Sequence, residues 1–330
     1  MPTPVVLVTE SEFRRGESVF ASAADFTCLA APRDEDALVR AILAHGASHA
    51  IVGSFMYREA LYTALSRGAV LARYGVGHEN IDKARATAQG LLCTNTPGVL
   101  DQSVAELTLL FILAAARQLP ERTGEMREGQ WRPGTGVELQ GKTVALIGTG
   151  PIARAVARAA TAGFGMRAIG CGREAPAAPS IPPGGDFVRT TRDFGEAVGE
   201  ADFVSLHIPG TAENLHYVDR RRLSLLRPDT WLINTARGAV VDEAAMFEAL
   251  AERRIAGAAL DVFAREPYEP VEPARDLRTL PNVILTPHIG SNTVEANRRM
   301  AERALRNVRL GAARDYPAMD LLNPAVVAQL

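Results

Sequence analysis

Residues 141–153 read GKTVALIGTGPIA, and this stretch decides the fold of the chain. Residues 144–147 form a short apolar run, which is typical of a strand buried on both faces. Gly148 permits a tight turn, and Gly150 removes a side chain that would hold an anion away from the backbone. The alanine-rich helix that follows offers free N–H groups at its start, where proline is well tolerated. We therefore predict a nicotinamide dinucleotide site formed by Gly148, Gly150, Pro151 and Ile152, with the pyrophosphate at the start of the helix.

Length and composition indicate an ordinary globular protein of about two domains. The chain has 330 residues, of which 47% are hydrophobic, and a net charge of −2. This balance argues against a nucleic-acid or membrane partner. The three cysteines, Cys28, Cys93 and Cys171, are widely spaced, so they indicate neither a disulfide framework nor a metal site. No basic start precedes a long apolar run at the N-terminus, and we expect a cytoplasmic protein.

Two series of strands alternating with helices predict an α/β fold with two parallel sheets. The first series has predicted strands at 5–8, 50–53, 70–74 and 91–94. The second series has six, the number typical of a dinucleotide-binding sheet, at 144–147, 167–171, 203–207, 230–234, 257–262 and 283–286. A buried helix over 101–119 connects the two series, and a helix over 294–308 leads the chain back to the first domain. The proline- and glycine-rich stretch 176–185 is predicted to be a surface loop.

Polar residues stand at the carboxyl ends of successive predicted strands, where ligands bind in open α/β sheets. Arg173 follows the second strand of the cofactor domain, where an NAD site usually has an acid. A guanidinium there suits a 2′-phosphate, so NADP is preferred and NAD stays possible. The following predicted strands end at or beside His207, Asn234, Asp261 and Thr286, and together these ends predict the rim of one cleft.

The chain resembles the D-isomer-specific 2-hydroxyacid dehydrogenase family over nearly its whole length. Seven motifs carry the resemblance in the same order: GVGHENID at 75–82, NTPG at 95–98, VAELTLLFILAAAR at 104–117, the glycine fingerprint, NTARGAVVDE at 234–243, AALDVFAREP at 258–267 and LTPHIGSNT at 285–293. The resemblance implies a Rossmann cofactor domain over 101–294. It also implies a discontinuous, flavodoxin-like substrate domain over 1–100 and 295–330, an active site in the cleft, and a homodimer.

The resemblance further implies three catalytic residues, Arg237, Glu266 and His288, in the reduction of a small 2-oxo acid. Arginine suits the substrate carboxylate and carbonyl, and the histidine donates the proton that the new alkoxide needs. Glu266 would orient the imidazole and favour its charged form. Further cofactor contacts are expected at His207, Pro209, Thr211, Thr235, Ala236, Asp261 and Gly290. Substrate contacts are expected at Ser54, Arg73, Gly75, Val76 and Gly77, and no metal is expected.

Two alternatives stay open beside glyoxylate or hydroxypyruvate reduction. Arg73 lies next to the glycine turn and could contact a distal phosphate, which would favour oxidation of a phosphoglycerate-type substrate. The second alternative is a dinucleotide-sensing interaction module, as in the related corepressors, because fold alone does not determine function.

Overall fold

The computed structural model describes residues 3–173 and 185–330. The chain divides into two compact units, Met1–Leu100 with Ser291–Leu330, and Asp101–Gly290. Each unit has its own parallel sheet, so the predicted α/β fold is confirmed. The loop predicted at 176–185 lies outside the described residues except for Gly185.

The described residues form the following elements, numbered in chain order. The strands are β1 (Val5–Thr9), β2 (Thr27–Ala31), β3 (His49–Val52), β4 (Val70–Arg73), β5 (Leu92–Thr94), β6 (Thr143–Ile147), β7 (Arg167–Cys171), β8 (Arg189–Thr191), β9 (Phe203–Leu206), β10 (Trp231–Asn234), β11 (Gly257–Leu260) and β12 (Val283–Leu285). The helices are α1 (Glu10–Arg15), α2 (Glu17–Ala21), α3 (Glu35–His45), α4 (Ala60–Ala64), α5 (Lys83–Ala88), α6 (Asp101–Ala116), α7 (Leu119–Arg127), α8 (Pro151–Phe164), α9 (Phe194–Val198), α10 (Arg220–Leu223), α11 (Glu243–Ala251) and α12 (Val294–Ala312). Short 3₁₀ helices occur at Ala212–Asn214, Gly238–Val240, Leu277–Thr279, Tyr316–Ala318 and Pro324–Gln329.

The first unit contains a five-stranded sheet in the order β2-β1-β3-β4-β5, which is the flavodoxin-like order. All of its neighbouring strands are parallel. Helix α12 comes from the C-terminal segment and buries an apolar stripe that includes Ala301, Leu305 and Val308. The stripe packs against β4 and α2, so the two ends of the chain share one core.

The second unit contains a seven-stranded parallel sheet in the order β12-β11-β10-β9-β6-β7-β8. Its central strand β6 is buried on both faces. Ala145 and Ile147 belong to one hydrophobic core, while Val144 and Leu146 belong to another on the opposite face. Because the sheet is covered on both sides, its ligands have access along the carboxyl edge of the strands.

Two strands were not predicted, and one predicted helix is divided. The unpredicted strands, β2 and β8, are the outermost strands of their sheets. The predicted helix 101–119 ends at Ala116, and the chain turns at Gln118, whose φ is +52°, before α7 begins. Among the described residues, no single helix is long and apolar enough to cross a bilayer. The pair α6 and α7 passes that test only when joined across a 64° bend, and ten residues of α6 are buried.

Candidate active site

The glycine turn after β6 is shaped for an anion at the start of α8. Gly148 has a φ of +106°, and a Cβ there would collide with the carbonyl oxygen of His207. A Cβ on Gly150 would meet no described atom within 4 Å, so the space above it is open. Within the described residues, the N–H groups of Gly150 and Ile152 donate to no protein acceptor. Open space beside unused N–H groups at the N-terminus of a 14-residue helix fits a dinucleotide pyrophosphate.

Arg173, the residue expected to contact the 2′-phosphate of the cofactor ribose, lies just after β7. A Cβ on Gly172 would lie 3.0 Å from the Thr149 hydroxyl of the glycine turn, so the two turns are in close contact. Arg173 follows, with its side chain 82% exposed and its Nη1 3.1 Å from a carboxylate oxygen of Glu213. An exposed ion pair of this kind is weak, so a bound anion can displace the carboxylate.

The ends of β9 and β10 carry the next predicted cofactor residues. Desolvation lowers the pKa of His207 to about 4, so the ring is neutral at physiological pH, and its Nε2 lies 3.0 Å from the Ser205 hydroxyl. Pro209 and Thr211 continue this loop, and the Pro209 carbonyl accepts a hydrogen bond from Asn214. After β10, the Thr235 hydroxyl lies 2.9 Å from that of Thr108.

Arg237 is held by the loop that follows β10. The buried Asn234 amide donates to the Arg237 carbonyl at 2.9 Å and accepts from the Ala236 N–H at 3.0 Å. The Arg237 guanidinium donates to the Ala236 carbonyl at 2.6 Å, and its aliphatic stem passes over Gly210, where a Cβ would be 3.0 Å away. The backbone after β10 therefore determines where this guanidinium lies.

Asp261, directly after β11, organises the segment that carries His288. Its carboxylate is 1% exposed and accepts hydrogen bonds from the Thr286 hydroxyl and from the N–H groups of Ile289 and Gly290, at 2.5, 2.8 and 2.7 Å. Its carbonyl accepts from the His288 N–H at 2.9 Å. A carboxylate has about four acceptor positions, so these three hydrogen bonds leave about one of them unused. His288 itself has a φ of +52°, an uncommon conformation that this network stabilises.

Glu266 and His288 form a hydrogen-bonded pair. Glu266 Oε2 lies 2.6 Å from His288 Nδ1, and the other carboxylate oxygen accepts from the Phe263 N–H at 3.1 Å. Burial raises the pKa of Glu266, but the hydrogen bond and charge of His288, the Phe263 N–H and the charge of Arg237 together leave it below its usual value. The structure therefore brings together the three residues that were predicted to be catalytic, and we call Arg237, Glu266 and His288 the catalytic trio. Because Nδ1 is engaged, Nε2 is the ring nitrogen left for a substrate.

The predicted substrate residues lie at the carboxyl edge of the sheet in the first unit. Gly53 and Ser54 follow β3, and Arg73 ends the neighbouring β4. Two hydrogen bonds to carbonyl groups hold the turn after β4. The Gly75 carbonyl accepts from the Thr96 N–H at 3.1 Å, and the Val76 carbonyl accepts from the Asn95 side-chain amide at 2.7 Å. In the described part of the chain, the N–H groups of Val76 and Gly77 donate to nothing, which suits an anion.

Two residues of the second unit have clear structural roles but were assigned no individual role from the sequence. Asn234 shapes the Arg237 loop, and Glu243 accepts a hydrogen bond from the Ala264 N–H at 3.1 Å. Asn234 does stand at a predicted strand end, which is a usable signal. Glu243 stands in the first turn of α11, where an acidic residue is common for electrostatic reasons alone, so its position gave no signal.

A Rossmann sheet with an anion-binding glycine turn and an adjacent Glu–His pair with a nearby arginine defines the class of dinucleotide-dependent dehydrogenases. The model of the family "D-isomer specific 2-hydroxyacid dehydrogenase, NAD binding domain" matches residues 109–290. This protein belongs to the D-isomer-specific 2-hydroxyacid dehydrogenase family. It is an NAD(P)-dependent oxidoreductase that transfers a hydride between a nicotinamide dinucleotide and a 2-oxo or 2-hydroxy acid.

Individual relatives have related activities. The chain is 41% identical to a glyoxylate reductase of Thermococcus litoralis over 267 residues, which cover 78% of each chain. It is 41% identical to a D-3-phosphoglycerate dehydrogenase of Methanocaldococcus jannaschii over 69% of this chain and 43% of that one. Among solved structures it resembles an NADPH-dependent glyoxylate/hydroxypyruvate reductase of Sinorhizobium meliloti in complex with NADP and malonate. That match has a TM-score of 0.81 and 29% identity, and it covers 98% of each chain.

Proposed function

We propose that this protein reduces glyoxylate or hydroxypyruvate with NADPH. The observation that carries the proposal is the catalytic trio, in which the Glu266–His288 pair and the Arg237 charge meet at one sheet edge with the glycine turn. When bound, the dinucleotide supplies the hydride. The named glyoxylate reductases support a small 2-oxo acid as its acceptor.

Each member of the trio has a distinct proposed role. Arg237 binds the substrate carboxylate and polarises the carbonyl, because its charge is permanent and its donors are planar. His288 Nε2 donates a proton to the oxygen that becomes an alkoxide, and in the reverse direction the neutral ring accepts it. Glu266 holds Nδ1, which orients the ring and stabilises the imidazolium.

The proposed cofactor preference rests on Arg173. Its guanidinium is exposed at the end of β7, and the neighbouring Gly172 contributes no carboxylate that would repel a 2′-phosphate. Arg173 would exchange its ion pair with Glu213 for one with the phosphate, which carries more charge than a carboxylate. We also propose pyrophosphate contacts from the glycine turn, with Asp261 binding the nicotinamide amide.

In the first unit, we propose that the N–H groups of Val76 and Gly77 bind the substrate carboxylate and that Ser54 contacts the substrate. Arg73 is the residue on which a phosphorylated substrate would depend. Its Nη1 donates to the Tyr74 carbonyl, and the guanidinium lies against Gly75, where a Cβ would be 2.7 Å from Nη1. This inward engagement of Arg73 favours an unphosphorylated acid.

A substrate panel with both cofactors tests the proposal. Initial rates are measured for glyoxylate, hydroxypyruvate, pyruvate and, in the oxidative direction, 3-phosphoglycerate, each with NADP(H) and NAD(H). We expect the highest kcat/KM for glyoxylate or hydroxypyruvate with NADPH. A higher value for 3-phosphoglycerate would favour the phosphorylated alternative, and binding without turnover of any acid would favour the sensing module.

We also propose that the protein is a cytoplasmic homodimer. The stretch 110–137 of the second unit exposes several large apolar side chains, and Trp131 is 83% exposed. These side chains are Leu110, Leu119, Met126, Trp131 and Val137. An exposed apolar group of this kind is typical of a protein interface. All three cysteines are free thiols, which fits a reducing compartment. Sedimentation equilibrium distinguishes a dimer from a monomer.

A further inference from the structure

Glu243, the first residue of α11, is an acidic side chain in the protein interior. Only 5% of its surface is exposed. Its Oε2 accepts from the Ala264 N–H at 3.1 Å, while the buried Oε1 has no hydrogen-bond partner among the described residues. Burial raises the pKa of Glu243, although the Ala264 N–H and the charge of Arg265 oppose the shift.

The Ala264 N–H belongs to the segment that holds the catalytic carboxylate. Phe263, the preceding residue, donates its own N–H to Glu266 Oε1 at 3.1 Å. Phe263 is thus held on both sides. Its own N–H donates to Glu266, and the N–H of the following residue, Ala264, donates to Glu243. Glu266 in turn holds His288 at 2.6 Å.

The same peptide group also contacts the arginine loop. Gly238 follows Arg237, and a Cβ on Gly238 would collide with the carbonyl group of Phe263. The backbones beside Arg237 and Glu266 therefore pack directly on each other, with Glu243 on the peptide between Phe263 and Ala264. This peptide therefore packs against the loop that carries Arg237 and belongs to the segment that carries Glu266.

An apolar residue at position 243 would avoid a burial cost that the glutamate carries. A buried carboxyl oxygen without a partner costs about 1–3 kcal/mol. The described contact that offsets this cost is the hydrogen bond from the Ala264 N–H, so the role of the acid lies in the peptide group that it holds.

We propose that Glu243 is a positioning residue for the Glu266–His288 pair. It accepts the Ala264 N–H and so fixes Phe263, whose N–H fixes Glu266, which orients the imidazole. The inference rests on the roles proposed above for Glu266 and His288.

The test removes the acceptor without leaving a large cavity. Glu243→Met fills a similar volume but accepts no strong hydrogen bond, whereas Glu243→Gln keeps an acceptor for the Ala264 N–H. Glu243→Ala repeats the comparison should the longer apolar side chain disturb packing. Glu252→Met, at the exposed end of α11, is the matched control. For each variant we measure melting temperature, KM for NADPH, and kcat for glyoxylate as a function of pH.

We expect Glu243→Met to lower kcat about tenfold, because small displacements of catalytic groups are costly, and to leave KM for NADPH within about twofold. The loss of reductase rate with rising pH should also begin at a lower pH, because a loosely held Glu266 stabilises the imidazolium less. Glu243→Gln should restore both properties, and the control should match the wild type.

Glu266→Gln and His288→Ala, measured in parallel, separate the two levels of the proposal. If both lose activity while the Met and Ala variants at position 243 keep the wild-type kcat and pH profile, Glu243 has no positioning role, whatever happens to the melting temperature. If Glu266→Gln and His288→Ala keep wild-type rates, the proposed function itself is wrong.

Discussion

At the scale of single residues, His288 combines a strained backbone with a defined ring orientation. Its φ of +52° is uncommon for a residue with a side chain, and its Nδ1 is held by Glu266. The network around Asp261 stabilises this conformation. Such an arrangement keeps one nitrogen, Nε2, aimed consistently, which is what a proton donor needs.

Replacing the ring tests that role. We expect His288→Ala to lower kcat for glyoxylate by about 10²- to 10⁴-fold while KM for NADPH changes little, because only the proton donor is lost. His216→Ala is a matched control, since His216 also has a positive φ, +49°, within the same unit. A rate near that of the wild type in His288→Ala would refute proton transfer by this residue.

Arg173 is a second residue whose role can be isolated. Arg173→Ala should raise KM for NADPH about 10-fold or more and change KM for NADH by less than about twofold, because a charge-assisted contact to the 2′-phosphate is lost. Arg167→Ala is the control, because Arg167 starts the same strand at the opposite end and also forms an exposed ion pair, with Glu200. An equal rise in KM for NADPH and for NADH would show that Arg173 does not recognise the 2′-phosphate.

At the scale of elements, the turn between β6 and α8 has little freedom to vary. Gly148 combines a φ of +106° with the close approach of the His207 carbonyl group, so a methyl group has neither the conformation nor the space it needs.

We therefore expect Gly148→Ala to destabilise the protein by about 2 kcal/mol or more and to weaken NADPH binding, as measured by urea unfolding and fluorescence titration. Gly163 lies within α8 with open space where its Cβ would be. Gly163→Ala should instead stabilise the helix by about 0.5–1 kcal/mol. Wild-type binding and stability in Gly148→Ala would contradict the close packing of this turn.

The position of a strand in its sheet, central or outermost, explains whether it could be predicted from the sequence. Central strands such as β6 are buried on both faces and form continuous apolar runs. The two missed strands are outermost, β2 is only partly buried, and β8 has only three residues. The apolar run in β2, residues 28–31, is short and only partly buried, and β8 contains no apolar residue. The break after α6 depends on a single left-handed residue, Gln118, which hydrophobic periodicity does not report.

At the scale of the whole molecule, buried neutral histidines make folding sensitive to acid. His49 is 6% exposed, and its Nδ1 accepts from the Val70 N–H at 3.0 Å, which requires an unprotonated nitrogen. Burial lowers the pKa of His49 to about 4 from an ordinary value of 6.5. The unfolded chain therefore binds a proton more readily, and stability is complete above the unfolded pKa and falls as the pH drops toward the folded one.

We expect the free energy of unfolding to fall by up to about 3 kcal/mol on account of His49 between about pH 6.5 and 4, as measured by urea titration. His207, with a pKa lowered to about 4, acts in the same direction. His49→Gln should reduce the slope against pH, while the exposed His45→Gln should leave it unchanged. The same slope in His49→Gln and the wild type would rule out this source of acid sensitivity.

The sequence by itself determined what depends on neighbouring residues: the glycine turn, the buried central strands, and the residue types at the strand ends. It also carried the family motifs, and the family is confirmed. Tertiary structure decided which distant residues meet. Glu243 and Ala264 are 21 positions apart, and Asp261 and Gly290 are 29 apart. Such contacts depend on the order of strands in the sheet and on the packing of loops over its edge, because hydrogen bonds form between spatial rather than sequential neighbours.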